Sequence, residues 1–146
     1  MVEKIPKRYF SVPEANRLLP LVGKILSRMA GIQSKLDTIT SIEVYYEDFY
    51  EDMAYGVQYD KKFHQLSYAF FREYERLVQL GVILKSAEDG LVDFFARHEG
   101  REIFLCWQIG EPCIQHWHEI EDGYQGRRHI SELANSEKVR KPVKVK

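Results

Sequence analysis

The apolar residues of this chain change period at Gly81. Before it, Leu18, Val22, Ile25, Met29, Ile32, Leu36 and Ile39 recur at alternating spacings of four and three, the seam of one helix lying lengthwise on another. After it, apolar and polar residues alternate, as they do along half-buried strands. Helices followed by strands, in blocks, define an α+β protein. The expected architecture is an N-terminal long helical hairpin of two or three helices packed on a small C-terminal antiparallel β-sheet of three to four strands. A length of 146 residues suits one domain whose core needs no disulfide or metal as a staple. Residues 1–135 are read as that domain, with helices over about 12–80 and the sheet over about 82–120, and residues 136–146 as a basic flexible tail.

Local signals mark the boundaries. Ser11 with Glu14 forms a capping box ahead of the first helix, and Pro13 sits in the first turn, where its missing N–H costs nothing. Pro20 should kink or tighten the helix without ending it, because the seam runs on past it. Thr38-Ile39-Thr40-Ser41 suggests a break, with Thr40 and Glu43 as a second capping box. A shorter helix would come next, with Ile42, Tyr46, Phe49 and Met53 on one face and Glu43, Glu47 and Glu51 on another, ending near Gly56. One continuous helix from Val12 to Ala54, overhanging its partner and inviting dimerisation, is the alternative. Asp60 is the expected N-cap of the next helix, with Phe63, Leu66, Phe70, Tyr74 and Leu77 inward and Gly81 as its stop.

Four strands are expected, at Val82 to Lys85, Leu91 to Arg97, Glu102 to Ile109 and Ile114 to Ile120. A two-residue turn at Glu99-Gly100 pairs Ala96 with Ile103, Phe94 with Leu105 and Val92 with Trp107 on the helix-facing side. Asp93, Phe95, Arg97, Phe104 and Cys106 then share the opposite face. The register of the last hairpin stays open, and a slip of one residue would move His116 and His118 from one face to the other.

Composition narrows the function classes. A net charge of -1 and a pI near 6.5 give no global field for a polyanion, so nucleic acid is disfavoured. The basic residues Lys138, Arg140, Lys141, Lys144 and Lys146 of the tail, with Arg127-Arg128, keep a nucleic-acid accessory role as a weaker alternative. No signal-peptide h-region or membrane-spanning run is seen, so a cytoplasmic location is the expectation. Cys106 and Cys113 are read there as free thiols acting as small hydrophobes. Nine Tyr and eight Phe favour helices that bury aromatic surface against a partner, a homodimer through the long helices or another protein.

Polar chemistry concentrates in the last third. His116 and His118 on one strand face, with Glu111, Glu121 or Asp93 in reach, make a candidate His/carboxylate site for iron, manganese or zinc, against strand histidines that are merely hydrogen-bonded. Asp93 and Arg97 share a face and read as a salt bridge or an anion clamp. Gly123 to Arg128 looks like an anion-binding loop but lacks the lysine and Ser/Thr of a P-loop. Glu43, Glu47 and Glu51 lack the accompanying Glu-x-x-His of a di-metal helix bundle and read as a solvated face. No serine nucleophile elbow is present, and no catalytic motif emerges.

Tyr9-Phe10-Ser11-Val12-Pro13-Glu14-Ala15-Asn16-Arg17-Leu18-Leu19-Pro20 resembles the opening of the family catalogued as domain of unknown function 2203. Gly90-Leu91-Val92-Asp93-Phe94, Ala96-Arg97, Gly100-Arg101-Glu102, Leu105-Cys106-Trp107, Gly110-Glu111-Pro112, Trp117-His118 and Gly123, Gly126-Arg127 stand in that family's order. The resemblance spans most of Tyr9 to Arg128 and implies no established activity. It has a histidine at the position of His118 and none at that of His116. It therefore directs attention to Asp93, Arg97, Glu111, His118 and Arg127. The leading expectation is a dimerising interaction module with a polar pocket near the sheet; a metal-binding protein or metal-dependent enzyme using His118 is the alternative.

Overall fold

The computed structural model describes residues 6–133, so the basic tail lies outside the described residues. Two long helices, α1 (Val12–Ser41) and α2 (Phe49–Leu80), precede five strands: β1 (Val82–Ser86), β2 (Leu91–His98), β3 (Arg101–Gln108), β4 (His116–Glu119) and β5 (Arg128–His129). The strands form one antiparallel sheet in the order β1-β2-β3-β4-β5, each beside its chain neighbour. The extra strand relative to expectation is the two-residue β5, too short to leave an alternating pattern.

Ser11 caps α1 by accepting a hydrogen bond from the Glu14 backbone N–H at 3.2 Å, while its hydroxyl donates to the Glu14 carboxylate at 2.9 Å. The helix continues through Pro20 and ends at Ser41, inside the β-branched stretch read as a break. The second helix departs from expectation. Asp48, not Thr40 or Asp60, caps it, the Asp48 carboxylate accepting from the N–H groups of Tyr50 at 2.8 Å and Glu51 at 3.2 Å. From there α2 runs unbroken past Gly56 and Asp60 to the left-handed Gly81. A glycine inside a helix costs only about 1 kcal/mol relative to alanine, and 32 residues of helix absorb it.

Ala15, Leu19, Val22, Ile25, Leu26 and Met29 of α1 are buried against Leu77 of α2 and the sheet residues Val92, Phe94, Ala96, Ile103, Leu105, Trp107 and Trp117. Leu18 is only half-buried, because the inward stripe near the sheet is centred on Ala15 and Leu19. Ile32, Leu36 and Ile39 are half-buried too, and the fully buried stripe of α1 ends at Met29. Helices of this length reach about 45 Å, so the hairpin extends beyond the sheet. Asn16 ties the base of α1 to the β3–β4 connection, its side-chain oxygen accepting from the Ile114 N–H at 2.7 Å. No helix among the described residues is long and apolar enough to cross a membrane.

The Glu99-Gly100 turn has both residues at positive φ, 55° and 79°, and sets the expected pairs Ala96–Ile103, Phe94–Leu105 and Val92–Trp107. Gly90, at φ 65°, sits where an added Cβ would come within 2.3 Å of Ile109 Cγ2. Gly31, in mid-α1, has nothing within 4 Å of such a Cβ. Urea unfolding should therefore separate two similar substitutions: Gly90→Ala should lose about 2 kcal/mol or more, and Gly31→Ala should gain about 0.5–1 kcal/mol. A gain at Gly90 or a loss at Gly31 would contradict the placement of these two elements.

Candidate functional site

The β2–β3 register places Asp93 directly across from Cys106, and β3–β4 pairing places His116 across from Cys106 and His118 across from Phe104. All lie on the sheet face turned away from the helices. The open question of the last hairpin is settled by Trp117, which pairs with Leu105 and is buried in the core, sending both neighbouring histidines outward.

His118 is 3% exposed and Asp93 1% exposed, an unusual degree of burial for ionisable groups, so their partners decide what they are. The imidazole reaches across β3, its Nε2 lying 3.1 and 3.2 Å from the two Asp93 oxygens. Its Nδ1 is 2.8 Å from the Glu119 carbonyl oxygen, an acceptor only, so Nδ1 carries a proton. Cys106, 1% exposed, completes a group of three ligand atoms that all lie within 4.8 Å of one another. Phe104 and Phe95 wall the cluster, with ring centres 5.4 Å from His118 for Phe104 and 4.7 Å between the two phenyl groups.

Without a metal, Nε2 must also carry a proton to face a carboxylate, which makes His118 an imidazolium. Burial pulls its pKa down, but hydrogen bonds to Asp93, Cys106 and the Glu119 carbonyl, with the Asp93 charge, outweigh that and raise it to about 10. The same geometry argues against a Cys-His-Asp nucleophile triad. A triad needs one ring nitrogen for the nucleophile and the other for the carboxylate. Here Nδ1 donates to a backbone carbonyl and Nε2 to the carboxylate, so both ring nitrogens carry protons and the imidazolium has no lone pair to act as base toward the neighbouring thiol.

A second polar group adjoins the first. Glu111 accepts two hydrogen bonds from Arg127 Nη2, at 2.6 and 2.9 Å, and one from the Gln108 N–H at 2.6 Å. Burial lowers the Arg127 pKa, but the hydrogen bond to Glu111 and the electrostatic contributions of the Cys106 and Glu111 side chains, with the contact to Tyr124, hold it above its ordinary value. His116 Nδ1 is buried 3.2 Å from Glu111 Oε2 without hydrogen-bond geometry, and its ring meets His129 at 5.9 Å. Glu111, Arg127 and His116 thus form a brace beside Cys106.

The remaining candidates stand apart. The expected Asp93–Arg97 salt bridge does not form, because four residues of strand separate the pair by about 13 Å and Phe95 stands between them. Arg97 lies over the Tyr9 ring at 4.1 Å, and Lys85 Nζ approaches Asp93 instead, at 3.9 Å. Glu121 is exposed in the turn after β4, outside the cluster. Cys106, read from the sequence as a small hydrophobe, is the member that reading missed. Its expected cross-strand position opposite Asp93 was the available signal.

Fold and site together define a small α+β protein carrying a buried Asp/Cys/His centre on the solvent side of a five-stranded sheet. The chain belongs to the family described as "Uncharacterized conserved protein (DUF2203)", whose model matches residues 8–130. No curated protein and no solved structure matches the chain.

The imidazolium has a consequence for stability. A pKa raised from 6.5 to about 10 on folding contributes stability that is fully present below pH 6.5 and is lost as pH rises through 10. Unfolding free energies of the wild type and a His118→Gln variant, measured without metal from pH 6 to 10.5, should differ most at the acid end and converge at the alkaline end. A difference that is flat or grows with pH would contradict the ion pair.

Proposed function

We propose that this protein binds a transition metal through Asp93, Cys106 and His118, with zinc or iron(II) as the ion. The observation that carries the reading is the set of three different donors converging within 4.8 Å on one buried sheet face, while His118 commits its other nitrogen to a backbone carbonyl. That commitment is the usual support of a metal-bound imidazole, because it fixes the tautomer and aims Nε2 at the ion. Bonds of about 2.0–2.3 Å to a tetrahedral ion put neighbouring donors roughly 3.3–3.8 Å apart. His118 Nε2 and the Asp93 carboxylate, 3.1 Å apart, already stand close to that spacing, and the Cys106 sulfur needs to approach them by only about 1 Å. The thiolate shifts the choice away from manganese, which prefers oxygen donors. Three protein donors leave a fourth position open, as in sites where a metal acts on a bound molecule.

Elemental analysis of untagged protein should find near-stoichiometric zinc or iron, and Cys106→Ser and His118→Ala variants, checked for a folded circular-dichroism spectrum, should lose it. Absence of metal from the wild type, even after incubation with both ions, would overturn the reading.

A second reading concerns assembly, and it rests on the outer line of α2. Phe49, Met53 and Val57, then Tyr68 and Phe71, follow one another at helical spacings and are each more than half exposed. A helix with one buried residue in 32 gains little from packing within a single chain. Pairing of two hairpins about a two-fold axis would cover this line in both copies and yield a four-helix bundle. Light scattering after gel filtration should give twice the chain mass, falling to one chain in a Phe49→Glu, Val57→Glu double variant. A wild type that stays monomeric at high concentration would contradict it.

A further inference from the structure

Metal loading would leave one cation beside the centre without its counter-charge. A divalent ion bound by the Asp93 carboxylate, the Cys106 thiolate and a neutral His118 is locally neutral. Beside it, the Arg127 guanidinium is paired with Glu111 and contributes no surplus. The Lys85 ammonium is different. Its carboxylate partner is Asp93, at 3.9 Å, which the metal would claim.

Lys85 also owes its position to an irregularity in the sheet. Leu84 pairs with Val92 and Ser86 with Leu91, so Lys85 is the extra residue of a bulge in β1. Bulges of this kind re-aim a side chain beside a site. The ammonium is held over the Phe104 ring, 5.0 Å from its centre, with the side chain 43% exposed. It thus touches both the buried cluster and solvent.

From this placement we infer that the open metal position takes an anionic oxygen ligand, a carboxylate or phosphoryl group, whose charge Lys85 pairs. The inference rests on the metal reading and deepens it: the substrate or ligand class is a small anion that approaches past Lys85, one oxygen on the metal and the ammonium beside it. Arg127, braced by Glu111, stays as a wall and is not the anion's partner.

Cobalt(II) makes both levels visible, because a cobalt-bound thiolate gives a charge-transfer band and the visible d–d bands report the fourth ligand. Cobalt-loaded protein titrated with acetate and, separately, with inorganic phosphate should change its visible bands saturably with at least one of them. A response to acetate alone identifies a carboxylate site and to phosphate alone a phosphoryl site. Lys85→Met should keep the thiolate band and need about tenfold more anion for half-saturation, near the 1.4 kcal/mol that a tenfold change represents. A thiolate band with no response to either anion, or an unchanged half-saturation in Lys85→Met, would overturn the anion inference alone. Absence of any thiolate band would overturn the metal reading and this inference with it.

Discussion

The pairing of β2 with β3 is the constraint on which the rest of the molecule depends. Eight consecutive cross-strand pairs extend from the Glu99-Gly100 turn, and because side chains alternate, that one register assigns every residue of both strands to a face. Val92, Phe94, Leu105 and Trp107 turn toward α1 and form the core, and by the same alternation Asp93 and Cys106 are set side by side on the other face. A slip of one residue would put a carboxylate or a thiol into the apolar core and turn large apolar side chains outward. The fold's stability and the polar centre therefore rest on the same register.

The centre is completed from the far side of β3. Trp117 is drawn into the core against Leu105, and its neighbour His118 is thereby forced outward into reach of Asp93. An apolar anchor thus places a polar side chain, a less costly arrangement than ordering a buried imidazole by polar contacts alone. The Glu111–Arg127 pair then holds the segment after β4 against the Gln108 backbone, beside Cys106. Asp93 faces His118 and Lys85, and Glu111 faces Arg127, so the burial of this much polarity is compatible with a packed structure.

Much of this is legible in the chain, for identifiable reasons. The β2–β3 pairs derive from turn chemistry and period, both local. The seam through Val22, Ile25 and Met29 is readable because α1 has a strict apolar stripe, and Asp93 and His118 because polar residues stand in alternating apolar runs. Other features depend on competition between distant or equivalent signals. Asp48, Thr40 and Asp60 are all acceptable caps, and only the packed hairpin selects Asp48. The β3–β4 connection, residues 109–115, is too long for its turn type to dictate register, which the burial of Trp117 decides instead. The bulge at Lys85 leaves no mark in composition. Cys106 escapes notice because a lone cysteine in a strand is indistinguishable from a small apolar residue until its cross-strand neighbours are counted.

The central claim is that Asp93, Cys106 and His118 act together on one metal ion, and X-ray absorption at the metal edge tests it most directly. The account predicts a first shell with a single sulfur at about 2.3 Å and nitrogen or oxygen neighbours at about 2.0–2.2 Å, the sulfur contribution vanishing in Cys106→Ser. A first shell of light atoms only in the wild type, or a sulfur signal that survives the substitution, would contradict it.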